Sequence, residues 1–181
     1  MMFVSLAILT GSSSIVNAEP RSSPEYLIKA AYLYNFMKFV EWPPEAFRDR
    51  LSPIDLYILG TDPFGEVLGS ISDKVIRGRR LRIKHVNRVD QISGGHILFI
   101  STSEKENLRR TLRAVRNSAI LTVGEMDGFA QRGGIINFVT VENRIQFEIN
   151  PDAAHQSHLK IGSQLLRLAK IVAAESRREN E

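Results

Sequence analysis

Cysteine is absent from all 181 residues. No disulfide, thiolate nucleophile or cysteine-based zinc or iron–sulfur site can form. Tryptophan occurs once. No nucleophile elbow, Walker loop, dinucleotide-binding glycine fingerprint or HExxH zinc motif is present. Beyond the first residues no apolar run approaches the ~18 residues that a membrane helix needs. Internal repeats and low-complexity tracts are also missing. These absences exclude a disulfide-dense miniprotein, a collagen-like repeat and the common nucleotide-hydrolase and metalloprotease classes.

What is present fits an ordinary folded domain. Apolar residues make up 43% and charged residues 24%, close to the globular average. A chain of this length buries enough surface to fold without metal or disulfide. The net charge is +4, but it is unevenly spread. Residues 77–116 carry eleven Lys/Arg against three Asp/Glu, a net of +8, which leaves −4 for the remainder. Such asymmetry fits an anionic partner, or a solvated basic face.

Residues 1–18, MMFVSLAILTGSSSIVNA, read as a cleaved export signal. An apolar stretch is followed by small residues, with Val16 and Ala18 placed for signal peptidase. No Lys or Arg precedes the apolar stretch, which departs from the usual leader. Residues 19–23 form a linker, 24–175 the folded domain and 176–181 a polar tail. An exported, periplasmic protein is expected.

Ser23 and Pro24 predict a helix start, and the apolar spacing runs to about Glu41, where Trp42-Pro43-Pro44 stops it. Strands are expected at 54–59, 80–86, 96–100, 119–123, 135–141 and 144–149, from short apolar runs or alternation bounded by turn residues. Asp62-Pro63 predicts a helix to about Ile71. Ser103 and Glu106 have capping-box spacing for a helix to about Arg116. Glu142-Asn143 predicts a tight hairpin, since Asn tolerates positive φ. Ile161, Leu165, Leu168, Ala169 and Val172 predict a final amphipathic helix over 161–174. The fold class is α/β: a single domain with about six strands in a mixed, mostly parallel sheet, flanked by helices, with a C-terminal β-hairpin and final helix.

Arg80, Arg82 and Lys84 share one face of the 80–86 strand and are the candidate anion-binding residues. Cations on a strand also discourage edge-to-edge pairing. Aromatics are absent from the 77–82 stretch, so base stacking is unsupported and nucleic acid is not expected as a partner. Asp152, His155 and His158 have a weak metal-ligand spacing, or form an exposed polar turn. Ser101, Thr102 and Ser103 follow a strand end, where α/β sites often lie. No histidine is tied to them by spacing, so no catalytic residue is assigned. No cofactor is expected.

Two longer motifs carry a family resemblance. Lys29–Pro43, KAAYLYNFMKFVEWP, resembles the opening helix of the YfiR family of periplasmic proteins. Asn143–Asn150, NRIQFEIN, with Ile161–Ala169, IGSQLLRLA, resembles that family's closing strand and helix. The resemblance spans roughly residues 25–172. It implies a non-enzymatic regulator and a homodimer. Such a protein binds the periplasmic sensory domain of an inner-membrane diguanylate cyclase and represses it, lowering cyclic-di-GMP and biofilm formation. An OmpA-like outer-membrane lipoprotein would draw it away. Partner binding is implied for hydrophobic surface towards the C-terminal part: Phe129, Phe147, Ile149, Ile161 and Leu165, with Arg144 and Glu148 as polar neighbours. For the apolar members, and for Trp42 and Tyr34, a core role stays open. The resemblance also implies paired cysteines, as the studied repressors carry, whereas control through disulfides is impossible in this cysteine-free chain. An exported module binding an anion or small ligand for another membrane receptor, such as a histidine kinase, and an exported enzyme are the alternatives.

Overall fold

Short apolar runs closed by glycine or a polar residue make the inner strands, because their side chains are buried on both faces. A computed structural model describes residues 24–174. The leader (1–18), the linker (19–23) and the polar tail (176–181) lie outside the described residues. The chain runs α1 (Pro24–Phe39), β1 (Val40–Glu41), β2 (Ile54–Leu59), β3 (Val75–Ile76), β4 (Arg79–Val86), β5 (Ile97–Ile100) and α2 (Leu108–Ala114). It continues through β6 (Leu121–Gly124), β7 (Ile136–Val141), β8 (Arg144–Ile149), α3 (Pro151–Gln156), β9 (Lys160–Ile161), α4 (Ser163–Leu168) and β10 (Lys170–Ile171). Short 3-10 turns lie at 44–46, 65–70, 89–91 and 102–107.

Eight strands form one sheet in the order β10-β8-β7-β6-β5-β2-β4-β3. β4, β2, β5, β6 and β7 are mutually parallel. In chain order they are the second, first, third, fourth and fifth parallel strands, a doubly wound arrangement. The β7–β8 hairpin is antiparallel, and β10 adds parallel to β8. The hairpin turn places Glu142 and Asn143 at φ 48° and 60°, as a two-residue turn with both central residues left-handed requires. β1 and β9 pair apart from this sheet, Val40 opposite Ile161.

Two cores flank the sheet. Ile54, Leu56 and Ile58 of β2 face the larger one with α1; Tyr57 and Leu59 face the smaller one with α2. Phe36 of α1 is fully buried and meets Phe138 and Phe147 at centroid distances of 5.6 and 5.1 Å. Burying a phenylalanine side chain contributes roughly 1.5–3 kcal/mol, so this cluster is a main anchor of α1. Polar contacts fix the other end of the helix. Lys29, with a side chain only 5% exposed, pairs with Glu25 one turn earlier and with Glu125 just after β6 at 2.5 Å. Burial and the neighbouring Glu125 charge push the Tyr26 phenol well above its ordinary value.

All six expected strands are present to within two residues. The differences lie at ends. α1 stops at Phe39, and Val40–Glu41 becomes β1 because β9 offers it a backbone partner. The helix expected after Asp62 shrinks to the 65–70 turn, although Asp62 Oδ1 does accept from Phe64 N at 2.8 Å. Ser101, not Ser103, caps the 102–107 turn, and α2 proper begins only at Leu108. The final helix is corrected most. Residues 161–174 divide into the end of β9, α4 and β10. Gly162 sits against the α1 end, where a Cβ would stand 3.0 Å from Phe39 O. Lys170–Ile171 take up the open edge of β8 instead of continuing the helix.

The Phe129 ring is clamped between two glycines. A Cβ on Gly134 would lie 2.1 Å from one edge of it, and one on Gly124 would lie 2.5 Å from the other. Gly134→Ala is therefore expected to cost about 1–3 kcal/mol by overpacking, read as a lower urea midpoint with an unchanged slope.

Candidate functional site

In a doubly wound sheet the usual ligand crevice lies where the strand order reverses, outside the carboxyl ends of the strands. Here that point falls between β2 and β5. It is closed by local packing: Thr61 N donates to Ser103 Oγ at 2.9 Å, and a Cβ on Gly60 would stand 2.4 Å from that oxygen. Ser101 accepts from Ser103 N as the turn cap. The serines that follow β5 are thus engaged structurally.

The open space lies elsewhere, on the face of β2 and β4 that α2 does not reach. The chain from β4 to β5 supplies only the 89–91 turn and loop, so no helix covers this half-face. A cleft of about 1050 Å³ results. Its floor holds Asp55, Tyr57, Arg82 and Lys84, and its sides are the 46–53 and 91–96 segments.

Parallel register builds the floor. Asp55 sits opposite Arg82 and Tyr57 opposite Lys84. Arg82 donates through Nε to Asp55 Oδ1 at 2.6 Å and through Nη2 to Oδ2 at 2.9 Å. Lys84 Nζ donates to Asp55 Oδ2 at 3.0 Å and to Tyr57 Oη at 3.1 Å. Tyr57 in turn donates to Ser93 O. Burial opposes ionisation of Asp55, but the hydrogen bonds and charges of Arg82 and Lys84 outweigh it, so its carboxyl sits below the usual range. One carboxylate serves two cations, leaving a formal +1 on the floor.

His96 supports the wall. Its Nδ1 accepts from Asp55 N at 3.1 Å, which leaves Nε2–H to donate to Ala46 O at 3.1 Å. Burial lowers its pKa, against the raising effect of Asp55, and holds the ring neutral. Phe47 stacks on His96 at 4.4 Å, and the Arg79 guanidinium lies 3.8 Å from the Phe47 centroid. Arg79 also donates to Asp49 O and Ser52 O, fixing the 46–53 loop to β4. Half-buried Trp42 donates to His96 O at 3.1 Å.

The structure separates the residues singled out from sequence. Arg82 and Lys84 converge on Asp55; exposed Arg80 lies further along β4, where β3 pairs with it, outside the cleft. Phe129, Phe147, Ile149 and Leu165 are buried in the cores at 3% exposure or less. They are not surface. Glu148 is buried too, and Lys170 Nζ donates to it at 2.9 Å. Arg144 is exposed beside the hairpin turn, and Ile161 is half-buried in β9. His158 lies beyond the end of α3 at φ 56°, so it and His155 do not share a helix face. Among the described residues no group of three or more His, Asp or Glu is placed to hold a metal ion. His85 is exposed and bonded to Asp62. Asp55 and Tyr57 belong to no motif in the sequence, and His96 stands there only as an isolated histidine with a core or surface role. The available signal was a lone acid inside the apolar run Ile54-Asp55-Leu56, read against alternating cations on the next strand.

The pH dependence of folding follows from two of these groups. The Asp55 carboxyl is held below its ordinary 3.8, so its contribution is complete above that value and is lost as pH falls through the folded one. His96 is held below its ordinary 6.5, so its contribution is complete above 6.5 and declines below it. Urea unfolding is expected to show stability falling from about pH 6.5 downward, and a His96→Asn variant is expected to show a flatter slope just below that value.

No curated protein sequence matches the chain. Among solved structures it is similar to one titled as the ABC domain in complex with L-Trp from Streptococcus pneumonia, at 10% identity and a TM-score of 0.47. That alignment covers 71% of this chain and 57% of the other, so the chain spans little more than half of that protein. The family described as YfiR/HmsC-like (DUF4154) matches residues 26–170, from the first turn of α1 into β10. The chain belongs to the YfiR/HmsC-like family.

Proposed function

We propose that the protein is a periplasmic, non-catalytic regulator that binds the periplasmic sensory domain of an inner-membrane diguanylate cyclase and holds it inactive. The observation that carries this reading is the family match across residues 26–170. No helix among the described residues is long and apolar enough to cross a membrane. One further observation supports the reading. The titratable groups of the cleft floor are tied into ion pairs and hydrogen bonds with one another, not arranged as a nucleophile beside a free base.

Repression by binding is a linkage effect. The regulator must bind the inactive cyclase conformation more tightly than the active one, and it shifts the balance only by that difference. An OmpA-like lipoprotein that sequesters the regulator reverses it by mass action. With Phe129, Phe147, Ile149 and Leu165 in the core, exposed Arg144 and half-buried Ile161 remain for a partner, and we add the exposed apolar Leu168 of α4 and Ile171 of β10 to the candidate surface. A homodimer is part of the same reading. A second reading, a small-ligand module for another receptor such as a histidine kinase, draws on the open cleft of β2 and β4.

Deletion of the gene is expected to raise cyclic-di-GMP and biofilm, measured by nucleotide extraction and crystal-violet staining. A Leu168→Glu/Ile171→Glu protein that folds is expected to fail to restore repression. Unchanged cyclic-di-GMP after deletion overturns the reading.

A further inference from the structure

We propose that the cleft on β2 and β4 is a binding site for a small organic molecule bearing one oxyanion group, a carboxylate or a phosphate ester, which Arg82 and Lys84 grip. The proposal stands apart from the cyclase reading. It starts from topology. A doubly wound sheet normally covers both faces with helices, yet this half-face has none and its strands carry polar side chains in place of apolar ones. The cleft measures about 1050 Å³, the upper end of the size of small-molecule sites.

The donor inventory sets the ligand's charge. Arg82 spends Nε and one Nη2 hydrogen on Asp55 and leaves Nη1 unused. Lys84 spends two of three hydrogens, on Asp55 and Tyr57. The side chains are 54% and 33% exposed, so these spare donors reach the cleft. Asp55 is 7% exposed and already accepts three bonds. Arg48 and Asp49 on the rim cancel, so the charge that remains is the surplus +1 of the floor. An oxyanion meets that surplus and uses the fork geometry of the guanidinium. The ammonium adds a second, converging donor.

The floor is also preorganised. Tyr57 is held from three sides: it donates to Ser93 O, accepts from Lys84, and has Gly95 pressed on its ring, where a Cβ would stand 2.9 Å away. Arg79 and His96 grip Phe47 between them and so fix the side wall. Leu51, Pro53 and Val86 offer apolar lining to the body of the ligand. Asp55 then has two roles. It orients both cations when the site is empty, and it competes with the ligand for their charge.

That competition gives an experiment with an unusual sign. Phenyl phosphate and benzoate are titrated into nitrogen-15-labelled protein and followed by NMR. Saturable shifts are expected at the Arg82 Nε–H and at the Tyr57, Lys84 and Gly94 amides. Tighter binding of phenyl phosphate assigns a phosphate ester, and tighter binding of benzoate assigns a carboxylic acid. Asp55→Asn is expected to bind about tenfold more tightly, the order of one charge-assisted hydrogen bond. Lys84→Gln is expected to bind about tenfold more weakly on the same grounds. The triple variant Asp55→Asn/Arg82→Gln/Lys84→Gln buries no unpaired charge, so it is expected to fold and to lose binding. Absence of saturable shifts in both the native protein and Asp55→Asn overturns the proposal. So do shifts confined to the arginines of residues 109–116, or undiminished binding by the folded triple variant.

Discussion

Asp55 stands inside an apolar strand with its carboxylate 7% exposed, and two cations of the next strand share it. An isolated carboxylate at that depth would bind a proton sooner than lose its water. The pairing to Arg82 and Lys84 is therefore the condition under which β2 and β4 can lie side by side with a polar face. The rest of that half of the molecule is arranged around it. His96 takes the Asp55 N–H, Phe47 stacks on His96, and Arg79 stacks on Phe47 while holding the 46–53 loop. The chain of contacts leads from a buried charge to the walls of the cleft.

The opposite half of the sheet solves the same problem differently. There α1 covers the strands with an aromatic cluster of Tyr32, Phe36, Phe138 and Phe147. Buried Glu148 is satisfied by Lys170 from the edge strand, by Asn137 and by Gln131. Burial opposes its ionisation, and these donors keep its carboxyl below the usual range all the same. One half is thus closed by packing and the other is left open with its charge in surplus. The proposed ligand site lies in the open half, and the proposed docking residues Leu168 and Ile171 lie in α4 and β10 at the closed one.

The inner strands were legible because burial on both faces writes itself as an uninterrupted run, as in Ile97–Ile100, and the hairpin because Asn143 accepts a left-handed φ. The end of the domain was not. Leu165, Leu168, Ala169 and Val172 keep helical spacing straight through β10, and only the unpaired edge of β8, a tertiary fact, stops the helix at Leu168. The same limit hid the site. Arg82 and Lys84 were visible as a cationic strand face, but their partner is 27 and 29 residues away, and register alone brings it opposite. The C-terminal apolar residues matched a partner surface by family likeness, yet Phe147 and Ile149 alternate inward with the pleat and are spent on the core.

The pairing of β1 with β9 has a consequence for how the chain is made. Val40 follows the first helix directly, and its partner Ile161 comes almost at the end of the domain. Closing that pair joins segments far apart in sequence, so its loop-closure entropy is charged late. A chain emerging amino-terminus first presents α1 long before anything exists to seat its last turn. Its leucine and phenylalanine stripe meets β2 early, but Phe138 and Phe147 reach Phe36 only once the β7–β8 hairpin has been made, and the Val40–Glu41 segment that follows it is paired only when residues 160–161 appear.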